Sequence, residues 1–440
     1  MIQLSPDTRQ DSWDGCSGYH YSDKVIYGFS HTHLSGTGCL DYGDILFIPT
    51  IKAWSEKDFS MTFSHKNETA SAGYYAISNL NNQSIDAFLT TTPRVGFHKY
   101  SFPASAKQTS IIIDLLWRDE LLDCSYKILN DSTIVGYRCS KSWNENQKIF
   151  FATIFSQKIS KHKFDEQTKK LFLEFELAEA NNKKTIEART AISSVSEEGA
   201  LKNLASEECI RFDKALAKNT ALWEKELGKI EISGASKKQK EIFYTSLYHC
   251  LIAPNLYSDV DNRYRGMDDQ IHRSKGYKRY TVFSLWDTYR TLHPLLSIID
   301  ENRSRDFAKT FIDMQLQNGE LPMWELASAE THCMIGMHGV SVLAELYQKG
   351  LGVYPKLTLE SMLNNTDPQL RVMNKRNYTE KKHNLLGLDR FTENGYISSE
   401  FEHEGVSKTV EYAYNMYCVA QVAKTQGRMD LYNEYIAKSQ

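Results

Sequence analysis

Apolar and polar positions alternate in short steps along the first part of the chain and follow a different rhythm in the second. Apolar runs of strand length recur up to about residue 195. They are the end of DYGDILFIPT (41–50), MTFS (61–64), GYYAI (73–77), IDAFL (85–89), TSIIIDLL (109–116), TIVGYRC (133–139), KIFFATIF (148–155), KLFLEFEL (170–177) and a last one over 186–195. Turn-forming stretches such as SNLNNQ lie between them. Many short strands broken by turns predict a large antiparallel sandwich. Pro49 is expected to stop the first of these strands, and 170–177 to alternate cleanly.

From Glu197 the period lengthens. Leu201, Leu204, Phe212, Leu216, Leu222 and Leu227 fall at helical spacing. This predicts linker helices over 197–235. The stretch KKQKEIFYTSLYHCLIAP is a helix ended by Pro254, and 255–283 reads as irregular. Helices are predicted near 284–298, 303–317, 333–349, 356–371, 405–426 and from 429 onward. Helices in succession, alternating with polar loops, suggest antiparallel hairpins. The fold class is multidomain, β then α, over 1–196, 197–235 and 236–440.

Composition narrows the picture little. Apolar residues are 41% and charged residues 24%, as in soluble globular chains. Lys and Arg number 52 against 55 Asp and Glu, a net charge of −3, which argues against nucleic acid or an anionic membrane as the main partner. No apolar run approaches the ~18 residues of a membrane helix, and MIQLSPDTRQDSW lacks the regions of a signal peptide. Eight cysteines sit far apart with no CxxC, so buried free thiols are expected rather than a zinc ribbon.

Candidate chemistry gathers in three loops of the second half. One holds Trp286 and Asp287, with Tyr289, Arg290 and His293 after them. The second is GELPMWELASAET (319–331), with Glu325 and Glu330 and then His332. The third is GYISSEFEHE (395–404). An indole beside a carboxylate and a guanidinium suits a pyranose, whose apolar face stacks on the ring while charged groups hold its hydroxyls. The same residues also suit a core helix start with one buried ion pair, and the two glutamates suit helix N-terminal pairing. Each loop is expected to open a helix, and the three to form one pocket. Tyr412, Tyr414 and Tyr417 are expected to be core residues. In the first half, His31 and His33 share a strand face, but no third metal ligand follows at recognisable spacing. The SGTG run (35–38) suits a tight loop close to a ligand.

Colinear motifs then carry a resemblance from end to end. They are MIQLSPDTR, GYHYSD, GFSHTHLSGTG with DYGDILFIPT, FSHKNETASAGYY, TTPRVGFHKYSFP, GYRCSKSW, YTVFSLWDTYRTLHPL, GELPMWELASAETHCMIGMHG and VSKTVEYAYNMYCVAQVAK. In these the chain resembles glycoside hydrolase family 92, the calcium-dependent exo-α-mannosidases. The resemblance implies an N-terminal β-sandwich, with its first strand missing here, and the N-terminal half of an (α/α)6 barrel over 236–440, with the active site between the domains. It implies that Trp286 and Asp287 hold the terminal mannose, and that His33, Gly36, Thr37 and Gly38 form a loop into that pocket. Glu325 and Glu330 match a loop near the sugar.

The family's upstream GHGHTFPGA-like segment does not occur here. Nor do its acid-bearing EGNAWQYTW-like and base-bearing GNDDCGQMSAW-like motifs. The resemblance therefore implies a fragment truncated at both ends and inactive alone, with no acid, base or metal ligand assigned and Ca2+ ligands mostly beyond Gln440. For the intact protein it implies an inverting enzyme acting on mannose-terminated glycans, with an α-1,2 linkage favoured, in the periplasm, secreted or at the cell surface. The rival readings are a non-catalytic carbohydrate-binding fragment and a disaccharide phosphorylase of similar architecture.

Overall fold

The computed structural model describes residues 1–10, 15–207, 211–368, 370, 385 and 387–440. By internal contacts the chain divides into two compact units. The first is 1–252 with Ser258–Arg263, and the second is Ala253–Tyr257 with Tyr264–Gln440.

The first unit is built on two antiparallel sheets. The smaller runs Ser5–Asp7, Gly28–Ser30, Leu46–Thr50, Ser110–Asp114, Lys170–Phe175, Ile159–Asp165. The larger runs Glu120–Asn130, Thr133–Lys141, Gln147–Phe155, Lys183–Ser193, Val95–Pro103, Ile85–Thr91, Tyr74–Leu80, Glu68–Ser71, with Glu179–Ala180 paired off this path. Phe29, Phe47 and Leu171 of the smaller sheet share one apolar core with Ile77, Tyr100 and Phe151 of the larger. Rings meet across it, Phe29 with Tyr100 at 6.0 Å and Phe155 with Phe175 at 5.0 Å. Burying each such ring contributes about 1.5–3 kcal/mol.

The linker sequence forms α1 (Glu197–Ser206) and α2 (Phe212–Leu227), followed by α3 (Lys237–Ile252). Ser196 caps α1 by accepting from the Gly199 amide at 3.0 Å. Ala200, Leu204, Phe212 and Ala215 then cover Val95, Phe97, Val135, Ala152 and Ala191, so the larger sheet has a second core on its outer face. Two expectations change here. Pro49 lies inside its strand, opposite Ile111, instead of ending it. The strand beyond, Gly28–Ser30, pairs with it only at Phe29↔Phe47, so the missing N–H of Pro49 is not called on. Lys170–Phe175 does not alternate, because Leu171, Phe172 and Leu173 are all buried.

The first unit also buries a charge cluster. Arg138, 1% exposed, donates from Nη1 to Asp44 Oδ1 at 2.6 Å and to Ser140 Oγ at 2.8 Å, and from Nε to the Leu115 carbonyl at 3.0 Å. Its Nη2 donates to the Arg118 carbonyl. Asp119 stands 3.9 Å from the same guanidinium. Burial, and then neighbouring carboxylates, push Asp41 up to about 7 and Asp119 up to about 8. The two titrate as a pair. In the unfolded chain both return to the ordinary carboxyl range, so the folded form binds the extra protons. Stability is therefore greatest at low pH as far as this pair is concerned, falls as pH rises towards about 8, and carries the full cost above it. Between pH about 6.5 and about 9, chemical denaturation should report a loss of about 1–2 kcal/mol, and Asp119→Asn should flatten that slope. A flat wild-type profile would sink the assignment.

The second unit is mainly helical among the described residues. It contains α4 (Leu285–Thr288), α5 (Leu292–Ile299), α6 (Glu301–Asn318), α7 (His338–Gln348), α8 (Pro355–Thr366), α9 (Leu388–Asn394), α10 (Gly405–Thr425) and α11 (Met429–Lys438). The helix expected over 284–298 is two helices. Pro294 has no N–H and its ring excludes a helical carbonyl at Arg290, so it is accommodated only in the first turn of α5. Asp300 starts α6 by accepting from the Arg303 amide at 3.1 Å, and left-handed Gly319 ends it. The helix expected over 356–371 ends at Thr366 in the described residues, and its last position lies outside them. The stretch 255–283 is not wholly irregular: Asn255–Leu256 pairs with Tyr280–Thr281, and Arg263–Arg265 with Ile271–Arg273. α10 packs on α7, α8 and α11.

Of the seven described cysteines only Cys16 and Cys418 are buried, and the other five are partly exposed. Cys209 lies outside the described residues.

Candidate functional site

In the second unit the indole and carboxylate stand on α4, and a buried hairpin fixes the root of that helix. Residues 319–331 do not open a helix: Trp324–Leu326 and Ala329–Glu330 are strands of a hairpin. Trp324 and Glu325 pair with Ser284 and Phe283, directly before α4, and the Leu285 amide donates to the Met323 carbonyl at 3.1 Å. Four non-glycine residues around this hairpin have left-handed backbones: Val282 (φ 68°), Ala327 (φ 48°), Ser328 (φ 63°) and His332 (φ 51°). A β-branched residue there is costly. The two glutamates offset the cost. Glu325 accepts from the Val282 amide at 3.1 Å, the Ser328 amide at 2.6 Å and the Thr281 hydroxyl at 2.8 Å. Glu330 accepts from the amides of Met323 and Trp324 at 2.9 Å and of His332 at 3.0 Å. Glu325 is fully buried and Glu330 nearly so. Burial pushes both carboxyls up, Glu325 to about 7, against the opposing charge of Arg279 for Glu325 and of His332 for Glu330. His332 Nε2 lies 2.7 Å from Glu320 Oε1.

On α4, Trp286 is half-buried. Its Nε1–H is buried and has no partner among the described residues. Asp287 is exposed and accepts from the Ser284 hydroxyl at 2.5 Å. One turn on, Glu411 accepts from the Tyr289 hydroxyl at 3.1 Å and from Arg290 Nη2 at 2.6 Å, and His338 Nε2 stands 3.1 Å from its carboxylate. The His338 ring stacks on Tyr289 at 3.8 Å. Burial pushes Glu411 up, but His338, Tyr289 and Arg290 hold it below the usual carboxylate range. A groove of about 870 Å³ lies over this network, walled by Tyr289, Arg290, Tyr414 and Tyr417.

Sequence reasoning missed His338 and Glu411, which lie far from Tyr289 in the chain. It also placed Tyr414 and Tyr417 in the core. Tyr412 is buried, but Tyr414 and Tyr417 are 41% and 43% exposed on the groove. In the third loop, Glu402 and Glu404 hold the buried Lys408 ammonium at 2.9 and 3.5 Å. The structure thus ties the first two loops together and commits these two glutamates of the third to an internal ion pair.

In the first unit His33 is buried. Its Nδ1 lies 2.7 Å from the Gln3 carbonyl, and its Nε2 lies 3.0 Å from Ser30 Oγ and 3.4 Å from Asp7. Gly18 presses on this ring: a Cβ there would stand 2.4 Å from His33 Cδ2, at φ +79°. Gly36 and Gly38 are exposed and Thr37 is partly exposed. Gly36 is left-handed with open space around it. His31 does not face His33 as a metal pair. Its Nε2 lies 2.9 Å from His98 Nε2 and its Nδ1 lies 2.7 Å from the Ile45 carbonyl, while the Tyr100 hydroxyl lies 2.7 Å from His98 Nδ1. A carbonyl only accepts, so His31 carries its proton on Nδ1, His98 on Nε2, and Tyr100 donates. Burial lowers both imidazoles, His31 to about 4. Among the described residues no group of three or more His, Cys, Asp or Glu is placed to hold a metal ion.

Comparison with known proteins is consistent over the whole chain. Residues 1–197 match the glycosyl hydrolase family 92 N-terminal domain and 199–440 the glycosyl hydrolase family 92 catalytic domain. A solved family GH92 α-mannosidase from Bacteroides thetaiotaomicron is 34% identical, with a TM-score of 0.90, over 100% of this chain and 61% of that one. The same enzyme has been solved with mannoimidazole. An inverting mannosidase of the family from the same organism is 24% identical with a TM-score of 0.86, over 100% of this chain and 60% of that one, a likeness of fold. An uncharacterized secreted glycosidase of Arthroderma benhamiae is 22% identical over 95% of this chain and 56% of its own length. The chain therefore spans a little over half of these relatives' lengths.

Proposed function

Because the chain belongs to glycosyl hydrolase family 92, we propose that the whole protein is an exo-acting α-mannosidase that removes terminal mannose from glycans with inversion. The observation that carries the reading is the α4 pair: a half-buried indole beside an exposed carboxylate, on a helix whose root is locked by two buried glutamates. A 34% identical relative is an α-mannosidase also solved in complex with mannoimidazole, which supports the sugar.

In this reading Trp286 stacks on the apolar face of the terminal mannose and Asp287 accepts from its hydroxyls. Glu325 and Glu330 act at one remove: their oxygens are engaged by backbone amides, and they position α4. The loop of Gly36, Thr37 and Gly38, with His33 at its base, takes part in sugar recognition in the same reading. The helices of the second unit form part of an (α/α)6 barrel. With inversion, acid and base stand ~6.5–9.5 Å apart to admit water. By itself the chain is expected to hold mannose without turning it over. Calcium dependence belongs to the same proposal for the whole protein. Action outside the cytoplasm and an α-1,2 linkage complete the proposal.

The test is mannose release from an α-1,2-linked mannobioside, first by the whole protein and then by this chain. Release by the whole protein, with Trp286→Ala weakening mannose binding by roughly tenfold or more, supports the reading. Release of another sugar, or binding indifferent to Trp286, sinks it. Turnover by this chain alone would give the chemistry to Asp287, Glu325 or Glu330.

A further inference from the structure

The loop that carries Gly36, Thr37 and Gly38 returns between two cysteines that nothing in the proposed function uses. The Cys16 thiol is 3% exposed and donates to the Thr37 carbonyl at 2.6 Å. One residue earlier, a Cβ on Gly15 would lie 3.8 Å from Leu40 Cδ2. Both contacts bring Cys16 and its neighbour against the segment that carries Cys39, which stands between Thr37 and Leu40 in the chain. The Thr37 hydroxyl donates to the Cys39 carbonyl at 3.3 Å and closes the turn over Gly38. Electrostatics agrees with the placement: burial first, and then the nearby Cys16 and Asp41, push the Cys39 thiol up.

Cys124 and Cys139 lie on adjacent strands, but Cys124 is opposite Arg138 and Cys139 opposite Asp123, so their side chains leave opposite faces of the sheet. Cys418 is buried in α10.

We propose that Cys16 and Cys39 are a dithiol–disulfide pair that staples the Ser35–Gly38 loop at its root under oxidising conditions. Glutathione disulfide is a sufficient oxidant. The partly exposed Cys39 thiolate attacks it, forming a mixed disulfide and expelling one glutathione thiolate. The Cys16 thiolate then attacks Cys39 Sγ and expels the second. The protein loses two thiol protons and two electrons, and two glutathione thiols form. The reaction is slow near neutral pH, because little of the Cys39 thiol is ionised, and it speeds up as pH rises. Oxidation removes the S–H donor from the Thr37 carbonyl, so the loop is held by the hydrogen bond or by the covalent bond, not by both. The proposal does not depend on the sugar reading, and its test involves no sugar.

The chain is equilibrated with glutathione and glutathione disulfide, its remaining thiols are alkylated, and it is digested with trypsin under non-reducing conditions. Cleavage after Arg9, Lys24 and Lys52 places the two cysteines on neighbouring peptides. The expected result is one linked species joining them, lighter by two hydrogens than the separate peptides. Cys16→Ser and Cys39→Ser should each abolish it, and Cys139→Ser should leave it. Recovery of Cys16 and Cys39 on separate alkylated or glutathionylated peptides, or linked to other cysteines, from wild-type chain with a native circular dichroism spectrum, overturns the proposal.

Discussion

Glu325→Ala is expected to cost about 3–5 kcal/mol and to release the 324–330 hairpin. The carboxylate accepts from two amides and a hydroxyl in a fully buried place. Its removal leaves those donors unsatisfied at roughly 1–3 kcal/mol each, before any relaxation. Two of the donors belong to Val282 and Ser328, whose left-handed backbones then lose what holds them. Hydrogen exchange across Trp324–Glu330 should rise with the drop in denaturation midpoint. Glu325→Gln should cost less, since one oxygen still accepts, but not nothing, because its amide nitrogen then faces amide donors. Unchanged exchange in Glu325→Ala would remove the glutamate from its supporting role.

In the first unit the largest effect is expected at Arg138. Arg138→Met keeps the apolar length of the side chain and removes the charge. It leaves the buried Asp44 carboxylate without its 2.6 Å partner and strips donors from the Leu115 and Arg118 carbonyls. Breaking one side of a buried pair costs about 3–5 kcal/mol, far more than the pair itself contributes. The double variant with Asp44→Asn should recover part of the loss, because the stranded charge goes with its partner. Equal losses in the single and double variants would place the cost in packing instead.

How much of this was legible in the sequence depends on how many faces an element buries. The strands that alternate or run apolar, such as 85–89 and 148–155, could be read. Val95–Pro103 could not: Val95 and Phe97 face the helices while His98 and Tyr100 face the sandwich core, so no polar position marks its period. Glu120–Asn130 was missed for the opposite reason, being mostly exposed. The α1 and α2 pattern was plain because each helix buries one stripe. The 324–330 hairpin is too short for any period, and its turn, Ala327–Ser328, lacks the Gly or Asn that usually marks a left-handed turn. Side chains supply what the turn residues do not: Thr281 Oγ1 accepts from the Ala327 amide at 2.8 Å and Glu325 from that of Ser328. Trp286 and Asp287 stood out by residue type and then by family motif. The Tyr289–His338–Glu411 network joins three distant helices, and no local spacing announces it.

Ser258–Arg263 belongs to the first unit although the chain has already entered the second at Ala253. Asp259 accepts from Ser193 at 2.7 Å and from Asn203 at 2.8 Å, Asn203 accepts from the Val260 amide at 2.8 Å, and Arg94 donates to the Ser258 carbonyl at 3.1 Å. During synthesis, then, Ser193, Asn203 and Arg94 lack these partners when the last strand leaves the ribosome. They gain them only once Arg263 is free of the exit tunnel. A gene cut after Ile252 would make that lack permanent.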